Sequence, residues 1–160
     1  MNTDATALCA QLADRLQARG WMLATAESCT GGLIAAACTD LSGSSNWFER
    51  GFVTYSNEAK TELLGVDAAL IAQHGAVSEV VARAMAFGAV RHSRATVSVA
   101  VTGVAGPTGG TPQKPVGMVW FGFQVDGRLT SETRHFDGDR AAVRNGTVLH
   151  ALRRLLELLP

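Results

Sequence analysis

Seven residues, Thr96-Val97-Ser98-Val99-Ala100-Val101-Thr102, constrain this chain more than any others. They alternate β-branched with small side chains and carry no charge, so they read as a buried strand. Such a strand needs cover on both faces, and the rest of the chain supplies it. Leu8, Leu12 and Leu16 recur every four residues, with Cys9 and Ala13 beside them; this is one helical stripe, and Gly20 stops it. Trp21 to Ala26 reads as a short buried strand. Thr30 to Leu41 reads as a helix of small residues opened by Gly31 and Gly32, followed by a loop over residues 42–46 and a second strand from Phe48 to Tyr55. Ser56 and Asn57, Asp67, and Ser78 each cap a helix; Gly65 and Gly75 end the first two, and the third runs towards His92. Beyond a Gly-rich loop from Gly103 to Pro115, two strands, Val116 to Val125 and Leu129 to Phe136, flank Asp126-Gly127, a strong hairpin-turn signal. The last helix follows Asp137-Gly138-Asp139 and carries Val143, Val148, Leu152, Leu155 and Leu159 on its core stripe. Strands separated by helices predict an α/β fold with a mainly parallel sheet covered on both faces, to which the hairpin adds an antiparallel pair. With no repeat, linker or low-complexity tract, a single domain over residues 1–160 is expected.

Charge narrows the function classes. Lys plus Arg and Asp plus Glu both total 14, and the net charge is zero. A bulk polyanion binder needs a basic surplus, so no nucleic-acid partner is expected. The longest apolar stretches, such as Leu33 to Cys38, fall far short of the roughly 20 residues of a spanning helix, and no signal-peptide pattern opens the chain. The three cysteines, Cys9, Cys29 and Cys38, form no C-x-x-C pair, and the four histidines have no metal-ligand spacing. Reduced thiols, a cytoplasmic location and no metal are the expectation. The cations are lopsided: twelve are Arg and only two, Lys60 and Lys114, are Lys. Tyr55 is the one tyrosine.

Four stretches could carry chemistry. Ala26-Glu27-Ser28-Cys29-Thr30-Gly31-Gly32 lies where a strand gives way to a helix, at the sheet edge where α/β proteins bind ligands. Ser28 there is either a nucleophile beside free helix amides or a simple helix cap. Tyr55-Ser56-Asn57-Glu58-Ala59-Lys60 offers a lysine that could serve as a base if burial lowers its pKa, with Tyr55 to orient it or pass a proton. A solvated lysine paired with Glu58 or Glu62 is the alternative. The loop from Thr102 and Gly103 through Gly106 to Thr111 and Pro115 either holds an anion with backbone amides or is a long surface connection. Arg140 and Arg144, four residues apart, share a helix face and suit either a phosphate or salt bridges to Asp137 or Asp139.

Taken in order, these stretches resemble the CinA C-terminal domain family, whose stand-alone members are nicotinamide-nucleotide amidases. Ala76-Val77-Ser78, Gly109-Gly110-Thr111 with Lys114-Pro115-Val116-Gly117, and Gly138-Asp139-Arg140 complete the match, which covers nearly the whole chain. The resemblance implies a three-layer α/β/α sandwich with a five-stranded mixed sheet. It implies hydrolysis of the carboxamide of nicotinamide mononucleotide to nicotinic acid mononucleotide and ammonia, in pyridine nucleotide recycling. Ser28 would be the nucleophile, Lys60 its base and Tyr55 an assistant, with no cofactor. Thr30, Gly31, Gly32, Thr102, Gly103, Gly106, Thr111, Arg140 and Arg144 are expected around the substrate. A homo-oligomer, with a dimer favoured, is expected as well. The N-terminal domain that many relatives carry has no counterpart in these residues. Two other readings remain open at this point: a catalytically silent nucleotide sensor, and an interaction module linked to competence or DNA damage.

Overall fold

Side-chain size alternates along the middle strands, and that alternation sets how closely each helical layer approaches the sheet. The computed structural model describes residues 3–160; Met1 and Asn2 lie outside the described residues, so the expectations for the extreme N-terminus reach beyond them. The element order is α1 (Thr3–Arg19), β1 (Leu23–Glu27), α2 (Leu33–Thr39), a 3-10 turn (Ser44–Asn46), β2 (Phe48–Val53), α3 (Asn57–Leu64), α4 (Ala68–His74), α5 (Glu79–Arg91), β3 (Val97–Gly103), β4 (Met118–Val125), β5 (Arg128–His135) and α6 (Arg140–Leu158). The strands form one sheet in the order β2-β1-β3-β4-β5. β1 pairs parallel with β2 and β3, while β4 runs antiparallel to both β3 and β5. Four strands therefore share one direction and β4 opposes them.

The expected α/β architecture is present as three layers. On one face, Leu23 of β1 and Val97, Val99 and Val101 of β3 pack with α1, α2 and α6. On the other, Ala24, Ala26 and Ala100 present small side chains to α5. That small face lets α5 come close enough for Ser98 Oγ to donate to the Ala86 carbonyl at 2.7 Å. A Cβ on Gly122 of β4 would lie 2.3 Å from the Ala82 carbonyl oxygen. The same principle seats α3 on α5 through Gly88.

Caps and turns follow the sequence closely. Ser56, Asp67, Ser78 and Asp139 each accept from an amide in the first turn of their helix. Asp126 and Gly127 both take positive φ, as the tight hairpin requires. Most strand ends, and both ends of α2, shift by one to three residues from those expected, β1 running from Leu23 and β2 stopping at Val53, and two of the shifts have a backbone cause. α2 starts at Leu33, not Thr30, because Gly31 and Gly32 adopt φ of 58° and 108° and form a turn that no helix can include. β4 starts at Met118, because Gly117 at φ 96° turns the chain so that its amide meets the Val104 carbonyl.

A Cβ built on Gly88 would sit 2.0 Å from the Leu64 carbonyl oxygen. Alanine would gain about 1 kcal/mol of helix propensity, but a rigid carbonyl cannot yield as a flexible side chain does. Gly88→Ala is expected to lower stability by about 1–2 kcal/mol net, since overpacking of this kind costs up to about 3 kcal/mol. A lower urea midpoint at unchanged m-value would show it.

Candidate active site

Side chains leave a strand alternately to its two faces, so Glu27 and Ser28 at the end of β1 serve opposite layers. The buried Glu27 carboxylate turns to α2 and accepts from Thr30 Oγ1 at 2.5 Å, Ile34 N at 2.9 Å and Ala35 N at 3.0 Å. The amino end of α2 is thus filled by an anion from the protein itself. The sequence predicts free first-turn amides beside Ser28; the structure gives those of Ile34 and Ala35 to Glu27. The amide of Ser28 is also engaged, donating to the Val101 carbonyl at 3.1 Å. In the turn that follows, the amide of Thr30 has no hydrogen-bond partner among the described residues, and that of Cys29 bonds only to its own side chain.

Ser28 faces α3. β1 and β2 are parallel neighbours that end at the same sheet edge, and the Thr54 amide donates to the Glu27 carbonyl at 2.9 Å. The exit of β2 therefore lies beside Ser28, and α3, capped by Ser56, begins there. Lys60, in the first turn of α3, is 1% exposed. Its Nζ donates to the carbonyls of Thr54 (2.9 Å) and Tyr55 (3.3 Å), with a longer approach to Ser56 O (3.5 Å), and lies 3.0 Å from Ser28 Oγ. No ion pair among the described residues includes Lys60. Burial without a counter-ion lowers the pKa of the amine; Cys29 acts in the opposite sense, but only when ionised. Burial pushes the Cys29 thiol itself up to about 11, so near neutrality that opposition is absent.

Ser28 and Lys60 open onto a cavity of about 240 Å³, whose other walls include Cys29, Tyr55, Asn57, Ala76, Val77, Thr102, Gly103, Ala105 and Arg140. A second cavity of about 660 Å³ shares Ala105 and Arg140 with the first and continues along Pro107, Val116, Gly138, Asp139 and Arg144.

The expected residues divide into those on the cavity and those that shape it. Tyr55 offers its carbonyl to Lys60, while its phenol, on a side chain 63% exposed overall, accepts from Arg140 Nη2 at 3.2 Å. Arg140 also donates to the Gly106 carbonyl at 2.9 Å. Arg144 donates to the carbonyls of Cys29 (3.1 Å) and Thr30 (3.2 Å), bracing the turn after Ser28 from the α6 side. Neither arginine pairs with Asp137 or Asp139: Asp139 caps α6 and Asp137 faces His135. Thr30 and the two glycines build the turn. Thr102 lines the cavity and donates to the Ala76 carbonyl at 3.0 Å. Gly103 keeps room for β4, because a Cβ there would meet Val119 Cγ2 at 2.6 Å. Thr111 lines neither cavity; its hydroxyl accepts from the Lys114 amide at 3.0 Å. Sequence reasoning gave no role to Glu27, and treated Asn57 only as a cap. For Glu27 the signal was a carboxylate one residue before a serine and a few residues before a helix. For Ala76 and Val77 there was none beyond their place in a motif.

Fold and site together define an α/β protein with a buried serine–lysine pair at the carboxyl edge of its sheet. The chain belongs to the CinA C-terminal domain family, whose model matches residues 5–159. It is 53% identical over 150 residues to the nicotinamide-nucleotide amidohydrolase PncC of Enterobacter agglomerans, covering 93% of this chain and 92% of that one. It is 54% identical over 153 residues to the protein of the same name from Pseudomonas putida, covering 96% of each. Among solved structures, the competence/damage inducible protein CihA from Agrobacterium tumefaciens superposes with a TM-score of 0.95 at 44% identity, over 99% of this chain and 97% of that one.

The buried, raised thiol of Cys29 makes it a poor nucleophile beside Ser28. With Cys9 and Cys38 also buried, iodoacetamide at pH 7.5 is expected to leave all three thiols of the native protein unmodified. Mass spectrometry before and after unfolding checks this, and rapid native labelling at Cys29 would reopen its claim to the chemistry.

Proposed function

We propose that this protein is a nicotinamide-nucleotide amidohydrolase that converts nicotinamide mononucleotide to nicotinic acid mononucleotide and ammonia with Ser28 as nucleophile and Lys60 as its base. The observation that carries the mechanism is the fully buried Lys60 amine, 3.0 Å from Ser28 Oγ and without a carboxylate partner. A neutral amine has two protons and one lone pair. The carbonyls of Thr54 and Tyr55 take the two protons, and the lone pair is left for the Ser28 hydroxyl to donate to. A binding module or a silent sensor has no need of a desolvated, unpaired amine against a serine, so the enzymatic reading is the better supported one.

In the first step Ser28 Oγ attacks the carboxamide carbon while its proton moves to Lys60 Nζ. The oxyanion is placed against the Cys29 amide, which no backbone carbonyl occupies, next to the nucleophile. The Lys60 ammonium then protonates the departing nitrogen, and the C–N bond breaks to release ammonia. Tyr55, whose phenol is held by Arg140, closes the mouth of the cavity in this scheme. Water, deprotonated by neutral Lys60, cleaves the acyl ester, and the Ser28 oxygen regains its proton. The nicotinamide ring occupies the smaller cavity and the phosphate extends past Arg140 into the larger one. Arg140 is the first choice as anchor, because Arg144 has two of its nitrogens committed to carbonyls of the turn. A cytoplasmic homo-oligomer without nucleic-acid or membrane partners completes the proposal. Of these, the lack of nucleic-acid and membrane partners is supported by the zero net charge and by the absence, among the described residues, of any helix long and apolar enough to cross a membrane.

Ammonia release from nicotinamide mononucleotide by the purified protein is the direct test. Ser28→Ala and Lys60→Met are each expected to lower turnover by at least about 10³-fold, while Cys29→Ala stays within about tenfold of the parent. Full activity in Ser28→Ala would sink the nucleophile assignment. Because the base must be neutral, kcat/KM should rise with pH and level off above the lowered pKa of Lys60. The midpoint of that acid limb should fall below the roughly 10.4 of a free lysine. Arg140→Ala is expected to raise KM about tenfold with a smaller effect on kcat, the pattern of lost substrate binding.

A further inference from the structure

The second lysine has no part in the mechanism, yet its ammonium reaches the wall of the same site. Between α4 and α5, three successive carbonyls are each held by a side chain from a different place. His74 O accepts from Lys114 Nζ, Gly75 O from Ser78 Oγ at 2.8 Å, and Ala76 O from Thr102 Oγ1 at 3.0 Å. At the end of α4 and just beyond it these carbonyls have no ladder to satisfy them, so the side chains fix the path of the segment. The next residues along it, Ala76 and Val77, line the Ser28 cavity.

We propose that Lys114 is a positioning residue for this site: its ammonium, laid across Gly75 onto the His74 carbonyl, ties the Gly-rich loop to the Ala76–Val77 wall of the Ser28 cavity. The His74 carbonyl closes α4, where the helix leaves acceptors open and favours a cation. Lys114 has no ion pair among the described residues, so this carbonyl is its partner. At its own base the lysine is fixed by a tight turn: its amide donates to Thr111 Oγ1 at 3.0 Å, and its carbonyl accepts from the Thr111 amide at 2.9 Å. Thr111 thus acts through Lys114, which accounts for a threonine that lines no cavity. The same loop meets the other side of the site through Gly106, whose carbonyl accepts from Arg140.

The slot also explains why this cation is not arginine in a chain with twelve of them. A Cβ on Gly75 would lie 2.6 Å from Nζ, so the ammonium runs where a side chain would otherwise stand. Gly75 at φ +80° suits glycine for its backbone as well. A planar guanidinium is wider than an ammonium and does not fit over that residue without moving it.

This inference rests on the amidase reading for its kinetic consequence, but not for the latch. The test compares Lys114→Met and Lys114→Arg with the parent in three measurements. Hydrogen exchange over residues 74–78 should become faster in both variants, with the strands unchanged. KM for nicotinamide mononucleotide should rise about tenfold while kcat stays within about threefold, as for a loosened wall away from the reacting atoms. Inactivation by methanesulfonyl fluoride, whose methyl group leaves most of the cavity unfilled and so reads chiefly Ser28 and Lys60, should keep its rate. Unchanged exchange, faster exchange with unchanged KM, a slowed sulfonyl fluoride reaction, or full rescue by arginine would each overturn the proposal. A parent protein that leaves the mononucleotide intact would instead sink the amidase reading. The latch is then judged by exchange and by a calorimetric Kd for the mononucleotide, which should weaken in both variants.

Discussion

A lysine amine taken out of water with no carboxylate beside it is the most demanding feature of this structure. Its charged form is penalised by burial, and no ion pair repays the loss. What makes the site tolerable is a set of carbonyls at the exit of β2 that accept from Nζ at 2.9 and 3.3 Å. Those carbonyls stand beside Ser28 because β1 and β2 run parallel and end at one edge. The helix that carries Lys60 is held in turn by its close approach to α5, where Gly88 meets the Leu64 carbonyl. Sheet direction, helix seating and the reactivity of one nitrogen are therefore a single problem in packing.

The turn after Ser28 is shaped from two sides by opposite charges. Glu27 takes the amides of Ile34 and Ala35, and Arg144 takes the carbonyls of Cys29 and Thr30. With those groups engaged, the open donors next to the serine are few, and the proposed mechanism sets the developing charge against them. Preorganisation of this kind needs no rearrangement during the reaction. Arg140 bridges Gly106 and Tyr55 at the junction of the two cavities, and Lys114 holds the wall opposite. Four charged side chains around the site thus spend much of their hydrogen bonding on backbone atoms. A chain with zero net charge can gather charged groups around one site in this way without a basic face.

Much of this was legible from residue order. Period-four leucines gave α1, the uncharged run at residues 96–102 gave the central strand, and Asp126-Gly127 gave the hairpin. Ser28, Lys60 and Arg140 could be singled out because their residue types, at strand ends and helix starts, suit the chemistry. The differences are local. Gly31 and Gly32 read as a helix start but form a turn, since nothing in the letters says that both will take positive φ. Glu27 passed unnoticed because its partners lie seven and eight residues away, on amides that every helix has.

By itself the sequence determined the elements, their caps and the handful of side chains able to do chemistry, because propensity, periodicity and turn conformation are local. Only the tertiary structure decided which of those side chains meet. Whether Lys60 is a solvated cation or a buried base depends on how much water the neighbouring layers exclude. Whether Tyr55 faces the amine or Arg140, and whether Lys114 is a surface charge or a latch, depends on contacts across 85 and 40 positions of chain. Desolvation and long-range hydrogen bonds are properties of the packed molecule, and no stretch of residues contains them alone.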